Sequence, residues 1–273
     1  MKIFTWNVNG IRSVFKTTFR DWLITNDPDI VCLQEIKADS KELTEEFSYI
    51  DGYYAYFNSS SLKKGHSGTA VYTKIKPVSI ETKLGIKRFD DEGRCLKLTF
   101  QDFILFNFYI PNGGRDQHDM PYKLEIYKKL FPIFQSLADK NVILAGDFNI
   151  AHTELDVYYA KQNQNNTMFT LKEREQITKL LSLGYIDAFR YKYPEKKSYT
   201  WWPYMNSLRE RDIGWRIDYF FVTKSLEALI GNAFTQRDVL GSDHGPCGIV
   251  LNKSVEIAER PTYAKIKSQA GLF

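Results

Sequence analysis

The sequence predicts a layered α/β architecture, and three observations carry that prediction. Short apolar runs rich in Val, Ile, Phe and Tyr recur along the chain. Stretches with helical spacing lie between them. The two kinds are mixed throughout and never segregate into blocks. The strand-like runs cover residues 2–8, 30–33, 69–73, 95–100, 103–110, 142–145, 218–222 and 248–251, bounded by Gly, Pro, Asn or Asp. A first helical stripe joins Phe15, Phe19, Trp22 and Leu23. A second joins Tyr122, Ile126, Tyr127, Leu130, Ile133, Phe134 and Leu137, with a kink expected at Pro132. A third joins Ile177, Leu180, Leu181 and Leu183; Thr170 is its expected N-cap, Glu173 completes a capping box, and Gly184 ends it. Residues 159–168 are polar and rich in Asn and Gln, and read as a long loop of the kind that often carries function.

Composition bounds the answer. With 43% hydrophobic and 15% aromatic residues in 273, the chain has material for a substantial core, which excludes disorder over most of its length. No linker divides residues 1–252, which read as one domain; from residue 253 to 273 the character becomes that of a charged, solvated tail. A net charge of +4 excludes a chromatin-like polycation, so nucleic-acid contacts must come from local patches. Cys32, Cys95 and Cys247 are odd in number and form no CxxC, as expected of reduced core thiols in an intracellular protein. The chain runs from Met1 straight into a strand pattern, so neither a signal peptide nor a membrane span is expected.

The polar residues of interest share one placement. Asn7 follows an apolar run, as do Gln34 and Glu35, and Asp147 and Asn149; Tyr109 closes another. Asp218 opens a strand, and His244 sits in a Gly-Ser-Asp-His turn soon after it. If these strand ends converge, they form a site at the rim of the sheets. A carboxylate that reaches a histidine fixes its tautomer and favours its charged form, which suits it to hold a negative oxygen. There is no HExxH, GxxxxGK[ST], GxSxG or paired CxxC. Carboxylate and amide oxygens suit hard cations, Mg²⁺ or Mn²⁺, better than zinc. Such a cation with a histidine and amide donors suits attack on phosphorus, with Asp147 placed to take a proton from water. Phosphoester hydrolysis needs well over ~10 kcal/mol of barrier lowering, which metal, donors and positioned water together can supply.

Eight segments then stand in one order: Thr5-Trp6-Asn7-Val8-Asn9-Gly10-Ile11-Arg12, Leu33-Gln34-Glu35-Ile36-Lys37, Ser67-Gly68-Thr69-Ala70, Asp91-Glu92-Gly93-Arg94, Tyr109-Ile110-Pro111-Asn112, Gly146-Asp147-Phe148-Asn149-Ile150-Ala151-His152, Gly214-Trp215-Arg216-Ile217-Asp218-Tyr219 and Gly241-Ser242-Asp243-His244. Together they resemble the exonuclease III family of apurinic/apyrimidinic endonucleases, over about residues 1–252. The resemblance implies a four-layer α/β sandwich with two facing mixed β-sheets flanked by helices. It implies Mg²⁺-dependent cleavage of duplex DNA on the 5′ side of an abasic site, with 3′-end processing and 3′→5′ exonuclease activity, by a monomer in the cytoplasm at the nucleoid. By position, Glu35 is the main metal ligand, with Asn7 and Asp243 near the metal. Asp147 activates the attacking water, Asn149 orients the phosphate or that water, and Tyr109 and Asn112 contact the scissile phosphate. His244, held by Asp218, donates to a phosphate oxygen. Asn9 departs from the family pattern, since many members carry Asp there. Tyr159-Ala160 and Met168 depart in the DNA-facing loop.

Trp201, Met205 and Trp215 fall where the family walls a pocket for the base-free sugar, while Trp202 reads as ordinary core. A tight apolar pocket admits an extruded abasic deoxyribose and excludes a nucleotide that keeps its base. Arg115 falls where some relatives push an arginine into DNA. Lys63, Lys64 and Arg209-Glu210-Arg211 are candidate phosphate contacts, or equally a solvated face. At the tail, Gln269, Leu272 and Phe273 resemble the short peptides that bind sliding clamps. Two other readings stand beside the first: a non-specific DNase or phosphoinositide phosphatase on the same scaffold, and a catalytically silent, clamp-tethered DNA-binding module.

Overall fold

Period-two alternation along the strands sorts the apolar residues into separate cores, and that sorting builds the layers. A computed structural model describes residues 1–205 and 207–253; the tail residues Gln269, Leu272 and Phe273 lie outside the described residues. The strands are β1 (Lys2–Asn7), β2 (Ile30–Gln34), β3 (Tyr54–Asn58), β4 (Thr69–Thr73), β5 (Ser79–Glu81), β6 (Cys95–Thr99), β7 (Ile104–Tyr109), β8 (Val142–Asp147), β9 (Tyr185–Asp187), β10 (Asp218–Thr223), β11 (Ile230–Thr235) and β12 (Cys247–Leu251). The helices are α1 (Ile11–Thr17), α2 (Phe19–Asn26), α3 (Glu45–Ser48), α4 (Lys87–Asp91), α5 (Met120–Leu137), α6 (Ala160–Asn163), α7 (Leu171–Ser182) and α8 (Ala188–Lys192).

Two six-stranded sheets result, in the orders β11-β12-β1-β2-β4-β3 and β5-β6-β7-β8-β10-β9. Within each sheet one central pair is parallel, β1 with β2 and β7 with β8, and the remaining pairs are antiparallel. Ile3, Ile30 and Cys32 of the first sheet meet Leu96, Leu105, Ile143, Ala145, Phe220 and Val222 of the second in the inter-sheet core. The alternate residues Phe4, Trp6, Val31 and Leu33 turn outward onto Val14, Phe15, Phe19 and Trp22 of α1 and α2. On the other side, Val142, Leu144, Tyr219 and Phe221 pack under Ile126, Tyr127, Leu130 and Phe134 of α5 and Ile177 and Leu180 of α7. The expected four-layer sandwich is therefore the observed fold. α1 and α2 span only 7 and 8 residues, too short to be helical alone, so their ring contacts hold them in place. Phe15 stacks on Phe19 at 4.5 Å, for example.

Three local expectations met the structure differently. α7 has the expected capping box between Thr170 and Glu173, with Gly184 left-handed just past its end. Pro132, where a kink was expected, lies inside α5, which runs as one 18-residue helix. The expected loop over residues 159–168 contains the short helix α6. Cys32, Cys95 and Cys247 are free and buried, as expected. Among the described residues, no helix is long and apolar enough to cross a membrane.

Register decides where the polar strand ends meet. Asn7 pairs with Gln34, Tyr109 with Asp147, and Asp147 with Asp218 across three ladders. All therefore gather at one end of the sandwich. Gly146 makes this possible on β8: its φ is 136°, and a Cβ there would lie 2.0 Å from the carbonyl oxygen of Phe108. Next to it, Arg216 is buried between Asp156 (2.8 Å) and Asp187 (2.7 Å) and anchors the turn that leads into Asp218. Burial opposes ionisation of Asp156, yet Arg216 and Arg190 hold its carboxyl well below the usual range. Removing one partner of such a buried pair typically costs about 3–5 kcal/mol, because the other charge is left unpaired.

Candidate active site

Asp147 is the hub of the gathered residues. Its Oδ1 accepts the backbone N–H of Asn149 at 2.9 Å. Its Oδ2 accepts the side-chain amides of Asn7 (2.9 Å) and Asn149 (3.1 Å). His244 Nε2 faces the same Oδ2 at 3.9 Å, beyond hydrogen-bond range. Burial first, then the negative charge of Asp218, pushes the Asp147 carboxyl up to about 7. A carboxylate poised there is matched to taking a proton from water near neutral pH.

His244 is set from both sides. Its Nδ1 lies 2.9 Å from Asp218 Oδ2, which fixes the ring and its tautomer. Burial works against the charged imidazole, but Asp218, then Asp147, outweigh it and push His244 up to about 10. The turn that carries it is held by Ser242, whose hydroxyl donates to the Asn7 carbonyl at 2.7 Å. Trp6 donates to the His244 carbonyl at 3.1 Å. Arg209 stacks 4.7 Å over Trp202 and donates to the carbonyls of Ser242 and Val239 at 2.6 Å each. Arg209 therefore braces the turn that carries His244, with its guanidinium engaged there. Trp202 is buried, as expected of core.

Glu35 stands half-buried at the mouth in a left-handed conformation, with φ at 55°. Its Oε2 accepts the Asn7 amide at 3.0 Å, and Lys37 lies 2.8 Å from its Oε1. The Asn7 amide nitrogen thus bridges Glu35 and Asp147, while its oxygen accepts the Asn9 N–H at 3.0 Å. In this structure the Asn7 nitrogen aligns two carboxylates and its oxygen is turned to Asn9. Asp243 accepts from Asn9 (2.9 Å) and from the Trp201 indole (2.9 Å). Burial raises its carboxyl, but His244 and these donors outweigh it and hold it below the ordinary value. Tyr109 interacts with Glu35; burial first, then Glu35, raises its phenol well above the ordinary value, so it stays a donor. Arg94 lies 4.7 Å over the Tyr109 ring, donates to its carbonyl at 3.1 Å, and is itself paired with Glu92.

The ligand atoms of Asp147, Asp218 and His244 lie within 4.8 Å of one another, a spacing that could hold a metal ion. The charged imidazole already fills that place, however, and a histidine must be neutral to bind a metal. The half-buried carboxylates of Glu35 and Asp243 offer oxygen ligands that suit a hard cation better, with Lys37 now paired to Glu35.

The other predicted residues divide. Asn112 joins the cluster, donating to Asn149 Oδ1 at 2.9 Å. Trp201 and Trp215 pack edge to face at 6.3 Å, Phe169 backs Trp215 at 6.2 Å, and the Trp201 ring lies 6.4 Å from that of His244. Met205 is not part of that packing. It is 59% exposed and lines, with Trp202, Tyr204 and Arg209, an adjoining groove of about 600 Å³ that reaches Asp243. Lys63 and Arg115 are exposed, and Lys64 pairs with Asp39 at 3.2 Å, so none of the three enters the hydrogen-bonded cluster. Gln34 is a structural bridge that donates to Thr5 and, across the sheets, to Asn107, each at 2.7 Å.

Comparison with known proteins adds a third line. Residues 4–244 match the model of the Endonuclease/Exonuclease/phosphatase family. An exodeoxyribonuclease of Bacillus subtilis is 40% identical over 92% of this chain and all of its own length. A DNA-(apurinic or apyrimidinic site) endonuclease of Dictyostelium discoideum is 37% identical over 92% of this chain and 71% of its own. The solved structure of an AP endonuclease from Archaeoglobus fulgidus superposes with a TM-score of 0.85 at 29% identity, covering 93% of this chain and 100% of that one.

Proposed function

Because the chain belongs to the endonuclease/exonuclease/phosphatase family, and within it to the exonuclease III group of abasic-site endonucleases, we propose that it is a DNA-repair nuclease. It hydrolyses the phosphodiester on the 5′ side of an abasic site and trims 3′ ends from the same centre. One observation carries this reading: the Asp147–Asn149–His244 cluster adjoins the Trp201–Trp215 wall, with Asp243 bonded to the Trp201 indole. A phosphate over the cluster places the next sugar against the rings, where only a residue without its base fits.

The donor set fits a hard cation. Glu35 would hold it, with Asp243 beside it and Asn7 aligning Glu35 from behind. When bound, Mg²⁺ or Mn²⁺ polarises a phosphoryl oxygen and stabilises the departing one. Asp147 takes the proton of the attacking water as its oxygen bonds to phosphorus and the P–O3′ bond breaks. Asn149 and Asn112 hold that water and a non-bridging oxygen in line. His244, charged, and Tyr109, protonated, donate to the oxygens that gain negative charge.

The test is a duplex carrying one abasic analogue, incubated with Mg²⁺ or with EDTA. The expected result is one metal-dependent cut at the lesion. Cutting at many positions would instead identify a non-specific nuclease, and a gel shift without cutting a silent binder. In the Trp201→Ala/Trp215→Ala variant the lesion preference is expected to relax.

The sliding-clamp reading of Gln269, Leu272 and Phe273 belongs to the same proposal and rests on sequence. A chain lacking residues 269–273 is expected to lose capture by immobilised clamp; equal capture of both forms refutes it.

A further inference from the structure

Lys123 is wholly buried on the inner face of α5, and its Nζ is fully engaged. It donates to the carbonyl oxygen of Asn149 at 2.6 Å, to that of Asn112 at 2.9 Å, and to Glu173 Oε1 at 2.6 Å. These two asparagines are the ones whose side chains meet beside Asp147. Asn149 holds a left-handed backbone, with φ at 52°, a conformation that asparagine adopts more readily than most side chains. Glu173, also wholly buried, accepts the Met168 N–H at 2.9 Å through the same oxygen. Met168 in turn accepts the Ala151 N–H at 2.8 Å and packs in the cluster under Trp201 and Trp215.

Stability does not explain this pair. Hydrophobic residues of similar volume usually replace a buried ion pair at no cost or with a gain. Tyr127, Leu130 and Phe134, further along the same face of α5, pack in the apolar core, whereas the Lys123 ammonium meets three polar acceptors. The geometry instead serves the site: three N–H bonds from one ammonium fix two carbonyls and the carboxylate that ties down the pocket wall.

Building on the proposed phosphodiester hydrolysis, we propose that Lys123 is a positioning residue for that reaction. Through Asn149 and Asn112 it sets the angle at which the phosphate and the attacking water are held, and through Glu173 it locks those asparagines to the wall of the sugar pocket.

The experiment compares wild type, Lys123→Met and Glu173→Gln on the abasic duplex with Mg²⁺, after circular dichroism shows each to be folded. A displacement of about 1 Å in such groups costs up to ~100-fold in rate, so kcat of Lys123→Met is expected to fall about 10–100-fold with KM within about twofold. The same substitution is then made in the Asn112→Ala/Asn149→Ala background. A residue that acts through the asparagines causes no further loss there; a merely structural one causes the full loss again. Unchanged kcat, a rise in KM alone, or a full additional loss in the asparagine-free background each overturns the proposal. If Lys123→Met does not fold, Glu173→Gln carries the test, since its glutamine keeps an acceptor for Lys123; a severalfold kcat loss that vanishes in the same background is expected. Failure of wild type to cut the lesion would refute the hydrolytic reading itself, an outcome distinct from any behaviour of the variants.

Discussion

Asp147→Asn is expected to lose about 10²–10⁴-fold in kcat, the usual contribution of a positioned general base, while melting at a higher temperature than wild type at pH 8. The two effects share one cause. The carboxyl is buried against Asp218, so its folded value of about 7 lies above the reference of 3.8. For a group raised in this way, the associated stability is fully present below the unfolded value and is lost as pH rises through the folded one. At pH 8 wild type therefore carries a penalty that an uncharged asparagine does not. The opposing cost is the loss of a hydrogen bond, since the asparagine nitrogen cannot accept the N–H groups of Asn7 or Asn149. That loss is about 1–3 kcal/mol, whereas a displacement of this size is worth a few kcal/mol. The penalty is thus the larger, and each kcal/mol of net gain raises the melting temperature by about 2–4 °C. Melts in EDTA at pH 4.5 and pH 8 check this: the two proteins should converge at the lower pH and separate at the higher. Near-normal turnover would refute the role of Asp147 as base, and a variant that melts lower at pH 8 would refute its raised carboxyl.

How much was legible in the sequence follows from burial. β1, β2, β4, β8 and β10 are buried along nearly their whole length, so their apolar runs stood out. β3 is half-buried throughout, β5 and β9 have three residues each, and β11 lies at a sheet edge. Such strands need no continuous apolar run and left little pattern to read. At the proposed site, Asn7, Glu35, Tyr109 and Asp147 were legible because they lie at the ends of strands. The residues that hold them were not. Glu173 was explained by its capping box, and that local role hid its second bond to Lys123. Lys123 did leave a signal: it stands four and seven residues before Tyr127 and Leu130, on the apolar stripe of α5, where a solvated lysine does not belong. Arg209 could not have been found in this way, because a guanidinium capping distant carbonyls has no local pattern. The orientation of the Asn7 amide is likewise set only in three dimensions, by Asn9 on one side and two carboxylates on the other.

His244→Ala is expected to cost about 10²–10³ in kcat with little change in affinity for the abasic duplex, the signature of a donor whose bond strengthens as charge develops. The histidine could in principle be the base and Asp147 the donor, but the geometry and electrostatics favour the reverse. With a folded value of about 10, His244 is already protonated at neutral pH and has no lone pair to offer, since Asp218 occupies Nδ1 at 2.9 Å. Its Nε2–H stands 3.9 Å from Asp147, too far to be spent on that carboxylate and free to meet an incoming oxygen. The pH profile separates the two assignments. Activity should rise on the acid side as Asp147 loses its proton, stay high while the imidazolium persists, and fall only near pH 10. Asp218→Asn removes the carboxylate that most strongly holds the imidazole charged and that also raises Asp147, so both limbs should move to lower pH. In His244→Ala the alkaline limb should disappear while the acid limb remains. If His244 were the base, activity would instead rise only as the imidazolium loses its proton near pH 10, and His244→Ala would abolish the acid limb. The two assignments thus give His244 different limbs of the profile, and kcat measured from pH 6 to 10.5 on the three proteins decides between them.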